Sequence, residues 1–200
     1  MESKAIAGRW TVRYVYAISY KEAGDILVKE AINNKKQDML IYPIIFCYRH
    51  FIELILKDFS EMILSYIKKL KVNGWNSLKS KIEKKKNQAT HNIKKWLEIF
   101  REGLNLLKED IPQEIESTIN QFHQIDSTSQ RFRYPFLINN NSKKKKRKNS
   151  RGELSFFKEE QFDLEKTKLQ IGKVEEYFSG LDAYLENRYE DLENGYEEII

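Results

Sequence analysis

Apolar residues crowd most densely between Tyr42 and Phe59, where Ile44, Ile45, Phe46, Cys47, Phe51, Ile52, Leu54, Ile55 and Leu56 run almost without a break. Arg49, His50, Glu53 and Lys57 interrupt the run. At about 100° per residue these four fall on one narrow strip of a helix. A helix that is apolar over most of its circumference predicts a central core helix. The strip is then its one wet face, with Arg49 and Glu53 as an i, i+4 ion pair, or part of a functional site. Pro43 is tolerated in a first helical turn, so the strong part begins near it, with Met39–Tyr42 adding a kinked turn. Met62, Ile63, Tyr66, Ile67 and Leu70 carry the pattern on to a stop at Asn73-Gly74.

The rest of the chain repeats the helical period. Trp10 to Ala31 keeps an apolar face, weakened by Gly24, which suggests close helix packing. Trp75, Leu78 and Ile82 mark a short basic helix ending by Lys86. Ile93, Trp96, Leu97, Phe100, Leu104 and Leu107 give the next stripe, with Thr90 as its expected N-cap. Pro112 opens a helix through Ile115, Ile119, Phe122 and Ile125. Residues 161–195 form a long last helix, in which Leu164, Ile171, Val174, Phe178, Leu181, Leu185 and Leu192 follow a seven-residue repeat with Thr167 and Arg188 at the skipped positions. That seam packs into the same bundle or against a partner. Two stretches break the helical pattern. Arg131 to Ile138 alternates and contains Pro135, so it reads as extended, with Glu153–Phe157 able to pair back on it as a small hairpin within residues 131–160. Residues 139–152 are low in complexity and read as a mobile basic loop. The expectation is one all-α domain over residues 1–200, a bundle of about five to six helices with that small insertion and a long C-terminal helix.

Composition supports this and adds a polarity. Only three prolines and eight glycines occur beside 32% charged residues, which favours long helices over a sandwich or barrel. No run approaches the roughly 18 consecutive apolar residues that span a bilayer, and the first residues lack the apolar core of a signal peptide. The single Cys47, among apolar neighbours, reads as a small buried hydrophobe. A cytoplasmic protein with no membrane partner is expected. From residue 153 onward there are 14 acids against 5 bases, a net of −9, so residues 1–152 carry +14 of the overall +5. A basic body with an acidic last helix suits an anionic partner, such as RNA or another polyanion, or masks such a surface.

The candidate chemistry follows from few residues. His50, His91 and His123 are the histidines, and each lies in a distinctive local context. With Asp126 or Glu53 they match an oxygen–nitrogen metal site by ligand type, yet no pair has metal-ligand spacing, so no metal or other cofactor is expected. Arg49, Arg131 and Arg133 are able to hold a phosphate bidentately, and a histidine moves a proton near neutral pH. Attack of a ribose 2′-hydroxyl on its own phosphate needs that combination of base and charge stabiliser. The candidate site is therefore Arg49, His50, Glu53, His91, His123, Asp126 and Arg133, with His50 or His123 as proton carrier and Arg49 or Arg133 as phosphate clamp. Against it stands the plainer reading of satisfied histidines and ion pairs. The candidate nucleic-acid contacts are Arg131 and the run Lys143, Lys144, Lys145, Lys146, Arg147 and Lys148. That run has no interleaved aromatics and so offers charge without base stacking. A second basic region, Lys68–Lys95, holds ten lysines and the single acid Glu83. No P-loop, Rossmann, zinc-ribbon, HExxH or GxSxG pattern occurs.

Taken together, Tyr42 to Lys57, His91-Asn92-Ile93-Lys94-Lys95-Trp96 and Phe132-Arg133-Tyr134-Pro135 resemble the HEPN superfamily of all-α bacterial domains. The resemblance covers about Trp10 to Leu185. It implies a bundle of four or more helices, often dimeric, found in toxin–antitoxin pairs, antiphage defence and RNA processing. Some members are metal-independent ribonucleases and others are inactive or RNA-binding relatives. Active members carry an Arg, about four to six residues, then a His on a late helix. Here no histidine follows Arg131 or Arg133, and Arg49 and His50 are adjacent, so the resemblance assigns no catalytic residues. Two functions are expected as alternatives. One is an RNA-binding protein of a defence or stress system, with or without ribonuclease activity. The other is a non-catalytic subunit that forms a homodimer or docks onto a larger defence complex.

Overall fold

The computed structural model of the chain describes residues 13–87, 91–136, 154–156 and 158–194. Among them the backbone forms six α-helices and no strand. These are α1 (Arg13–Asn33), α2 (Gln37–Lys69), α3 (Trp75–Asn87), α4 (Ile93–Leu106), α5 (Gln113–Ile125) and α6 (Leu164–Glu193). The chain is all-α, as its periodicity predicts. The expected loop at residues 139–152, with Lys143–Lys148, lies outside the described residues.

The apolar stretch is the axis of the bundle. α2 packs against α1, α3, α4 and α6, while α5 bridges α4 and α6. Ile44, Ile45, Phe51, Ile52, Ile55, Leu56, Phe59, Ile63 and Ile67 are all buried on it. Its length and hydropathy would also suffice to cross a membrane, but here its apolar face is covered by its neighbours. Cys47 is a free thiol inside this core, and burial raises its pKa.

Several boundaries differ from expectation for local reasons. α2 starts at Gln37, a turn and a half before Pro43. The proline deprives the Met39 carbonyl of its i+4 donor, and Met39 is exposed, so water can serve that oxygen. At its other end α2 stops at Lys69, before Asn73-Gly74. Lys71 there takes a left-handed φ of 55°, and the Val72 N–H donates to the Ile67 carbonyl at 3.1 Å. α1 ends the same way at Lys35 and α4 at Lys108. Each is a Schellman closure in which a lysine replaces the usual glycine, so the stop signal was absent from the composition. α4 is capped by Asn92, whose Oδ1 accepts from the Lys95 N–H at 3.1 Å; Thr90 lies outside the described residues. Of the expected hairpin, the described residues show an antiparallel bridge of Phe136 with Leu154 and a Ser155 N–H bond to the Pro135 carbonyl at 3.0 Å, and the rest lies outside them.

The apolar heptad positions of α6 whose side chains are described are spent within the bundle. Leu164, Ile171, Val174, Phe178, Leu181 and Leu185 are buried. Arg188 at a skipped position donates to the Leu107 carbonyl and to Glu109.

Gly24 shows why α1 and α2 approach so closely. A Cβ there would lie 2.5 Å from Tyr48 Cε1, and that ring is fully buried with its hydroxyl donating to Asp25 at 2.7 Å. Gly24→Ala is therefore expected to destabilise the protein by about 1–3 kcal/mol. Gly172→Ala on α6, where nothing lies within 4 Å, is expected to stabilise it by up to about 1 kcal/mol. Urea unfolding of the two variants checks this, and a Gly24→Ala midpoint at or above the parent's would refute the packing argument.

Candidate functional site

Arg49 and Glu53 stand one turn apart on α2, and both are buried, at 1% and 0% exposure. The expected ion pair exists at 3.1 Å, but not on a wet face. Arg49 spends its donors on three elements. Nη1 donates to Glu53, Nε to the Asp126 carbonyl at 2.8 Å, and Nη2 to the His91 carbonyl at 2.5 Å. Asp126 is the C-cap of α5 and His91 immediately precedes the cap of α4. The guanidinium thus satisfies an orphan carbonyl at the negative end of α5 and ties the start of α4 to α2. Burial pushes its pKa down, against the attraction of Asp126 and Glu53.

Glu53 collects the opposite charges. Its Oε1 accepts from Lys57 Nζ at 2.5 Å and faces His91 Nδ1 at 2.9 Å. Burial alone would raise this carboxyl, but the bonds from Lys57 and His91 overcome it and hold it at about 2. Glu53 is therefore an anion, and a carboxylate only accepts. The His91 Nδ1 must carry the hydrogen, which leaves the lone pair of the neutral imidazole on Nε2. The His91 side chain is 47% exposed. The result is a half-exposed histidine whose tautomer is set by a buried carboxylate, itself fixed by a buried arginine.

The other expected residues surround this core. Asp126 is buried, and its Oδ1 accepts from the Gln130 N–H at 3.1 Å, shaping the turn after α5. Arg133 is exposed, bonds the Ser129 carbonyl, and lies close enough for its charge to act on Arg49. It lines a cleft of about 390 Å³ with Tyr42, Arg131, Tyr134 and Phe156. His50 stacks on Phe46 at 5.7 Å and meets Tyr20 edge-on at 4.4 Å. Burial lowers its pKa, which Glu53 partly offsets. His123 has a buried Nδ1 without a hydrogen-bond partner among the described residues, and burial, Lys94 and Arg49 lower its pKa.

Arg131 is placed differently. Nε donates to the Ser155 carbonyl, Nη1 to the Ile125 carbonyl and Nη2 to Glu160, while the guanidinium covers the Phe156 ring at 4.3 Å. It pins the 131–136 segment to the bundle. Two lysines beyond the expected set reach the site. Lys57 bonds Glu53, and its i+4 spacing was a usable signal. Lys85 of α3 is buried near Lys57 and Lys95, and only the packing of three helices brings it there. No cluster of three or more His, Cys, Asp or Glu side chains able to hold a metal occurs among the described residues.

A folded carboxyl at about 2 against an ordinary 4.5 contributes about 3 kcal/mol of stability. Because the folded value is depressed, this contribution is complete above 4.5 and is lost as pH falls toward 2. Glu53→Gln is expected to lose about 3 kcal/mol at neutral pH, since it leaves Arg49 without its buried counter-charge. It should also flatten the acid limb of the stability curve. Urea unfolding of both proteins across pH checks this, and parallel curves would contradict the assignment.

Comparison of the chain with family models, with curated proteins and with solved structures yields no match.

Proposed function

We propose that the chain is a HEPN-like RNA-binding protein of a bacterial antiphage defence or stress system, with metal-independent ribonuclease chemistry at His91. The observation that carries this reading is the His91–Glu53 contact of 2.9 Å beside the buried Arg49. It supplies a base of defined tautomer on a rigid support, the arrangement general-base chemistry requires. The resemblance supplies the defence setting and the RNA class of substrate.

In the proposed reaction His91 Nε2 takes the proton of a ribose 2′-hydroxyl. The oxygen attacks the neighbouring phosphorus, the bond to the 5′-oxygen breaks, and the proton on His91 passes to that leaving oxygen. The products are a 2′,3′-cyclic phosphate and a 5′-hydroxyl. Arg133, exposed at the rim, is the clamp for the phosphate oxygens, and Tyr134 and Tyr42, both exposed beside it, offer faces for bases. Arg49 and Glu53 are positioning residues. His50 and His123 lie within electrostatic reach but not in the hydrogen-bonded core, so the proton carrier moves from those two to His91.

The interaction-subunit alternative would need a surface other than the α6 heptads, because their described members are buried.

The protein is expected to bind RNA with a steep salt dependence and to cleave it in the presence of EDTA. His91→Ala is expected to slow cleavage by at least about a hundredfold while leaving RNA affinity within a few-fold. Gel analysis of end-labelled RNA with a filter-binding series checks both. Undiminished cleavage by His91→Ala would remove the catalytic assignment, and salt-insensitive or absent binding would remove the RNA reading.

A further inference from the structure

Aromatic rings follow one another across one edge of the bundle. Tyr16 meets Tyr20 at 5.5 Å between ring centres, and Tyr20 meets His50 edge-on at 4.4 Å. His50 lies nearly parallel to Phe46, at 5.7 Å and 8° between planes. The Arg133 guanidinium stands 5.8 Å from the Phe46 ring and 5.4 Å from the Tyr134 ring. The series therefore starts on α1, crosses α2 and ends on the 131–136 segment.

It is placed where a ligand can reach it. Tyr16 is 50% exposed and Tyr134 42%, Arg133 is exposed, and Tyr20, Phe46 and His50 are half-buried. Rings that only filled the core would be covered, as Phe51, Phe59 and Phe100 are. One end opens into the cleft of about 390 Å³ that Arg133 and Tyr134 share with Tyr42 and Phe156. On α2 the series continues the polar strip, because Phe46, His50, Glu53 and Lys57 follow one another at i, i+4, i+7 and i+11. Glu53 in turn holds His91 at 2.9 Å. Phe46 and Glu53 are about 10 Å apart along the helix, so the rings approach the histidine on the same face.

The chemistry of this surface selects its ligand. Flat rings offer stacking faces to bases of any kind, and a cation beside them, Arg133, suits the phosphates that join those bases. Burial lowers the pKa of His50, so at neutral pH its ring is an uncharged stacking face. A duplex keeps its bases in its own stack and cannot use the rings. The +14 charge of residues 1–152 favours a polyanion over a proline-rich peptide, another ligand of aromatic-lined surfaces.

We propose that Tyr16, Tyr20, His50 and Phe46 form a stacking track for the unpaired bases of single-stranded RNA, running between the Arg133 cleft and His91. The track rests on the RNA-binding reading and deepens it. The substrate is single-stranded, and bases beside the scissile phosphate are held by α1 and α2.

The test uses the full chain as the parent, Tyr16→Ala, Tyr20→Leu and Tyr16→Phe, with Tyr184→Ala as control. Tyr184 is an exposed residue of α6 that bonds Glu109 and stands outside the track. Tyr16 is exposed enough for its loss to leave the core closed, and Tyr20→Leu keeps apolar bulk beside His50. The probes are a short single-stranded oligoribonucleotide, the same strand with abasic residues, the same sequence as a duplex, and a proline-rich peptide. Fluorescence anisotropy across a salt series reads the affinities. The parent is expected to bind the single strand about tenfold or more tighter than the abasic strand or the duplex. Tyr16→Ala and Tyr20→Leu are each expected to weaken the single strand about tenfold. Neither removes a cation, so the salt slope stays that of the parent, and so does binding of the abasic strand. Tyr16→Phe recovers the affinity that Tyr16→Ala loses, and Tyr184→Ala matches the parent. If both ring variants bind the single strand like the parent, or the abasic strand or duplex binds equally well, the track is overturned and the RNA reading stands. If the parent binds the peptide but no RNA, the RNA reading and the track both fall and the surface serves a peptide. Binding of none of the probes also overturns both.

Discussion

Burying the Arg49 guanidinium is the constraint on which the rest of the bundle depends. A charge taken out of water costs several kcal/mol unless it is paired and its hydrogens are bonded. Arg49 meets that demand with one carboxylate and two backbone carbonyls from separate parts of the chain. Each partner is thereby fixed. The Asp126 carbonyl sets where α5 ends, the His91 carbonyl sets where α4 begins, and Glu53 is held as an anion between Arg49, Lys57 and His91. The network is specific because no apolar replacement would place both helix ends at once.

The same network links scaffold to chemistry. The apolar faces of α2 do the work of cohesion, through Ile44, Phe51, Ile55, Phe59 and their neighbours. The polar strip costs burial energy and contributes orientation instead. It reaches solvent through Lys57 and through the bonded His91, both partly exposed above a fully buried carboxylate. Residues fully engaged by the fold, such as Arg49 and Arg131, are poor choices for grasping a ligand. An exposed cation at the rim, Arg133, is a better one. This division between anchoring and presenting groups is what the proposed function uses.

The helices were legible from their periods, because a 3.6-residue repeat of apolar positions has few alternatives once glycine and proline are scarce. Their ends were less so. Lys35, Lys71 and Lys108 adopt left-handed conformations that glycine usually marks, so no residue type announced those stops. The strip on α2 was visible as a pattern, but whether it is wet or covered was not. A helical wheel shows that Arg49 and Glu53 share a face and says nothing of what covers that face.

By itself, then, the sequence determined that this chain is a helical bundle organised around α2, that α6 is amphipathic on a heptad pattern, and that Arg49 and Glu53 lie one turn apart. These are properties of neighbours within a single helix, where spacing fixes direction. Only the tertiary structure decided that the heptads turn inward, that His91 rather than His50 bonds Glu53, and that Lys85 is buried beside Lys57 and Lys95. Those juxtapositions join separate segments of the chain, Glu53 and His91 lying 38 positions apart. They depend on crossing geometry and on which carbonyls a buried charge must satisfy, and neither is written in any local pattern.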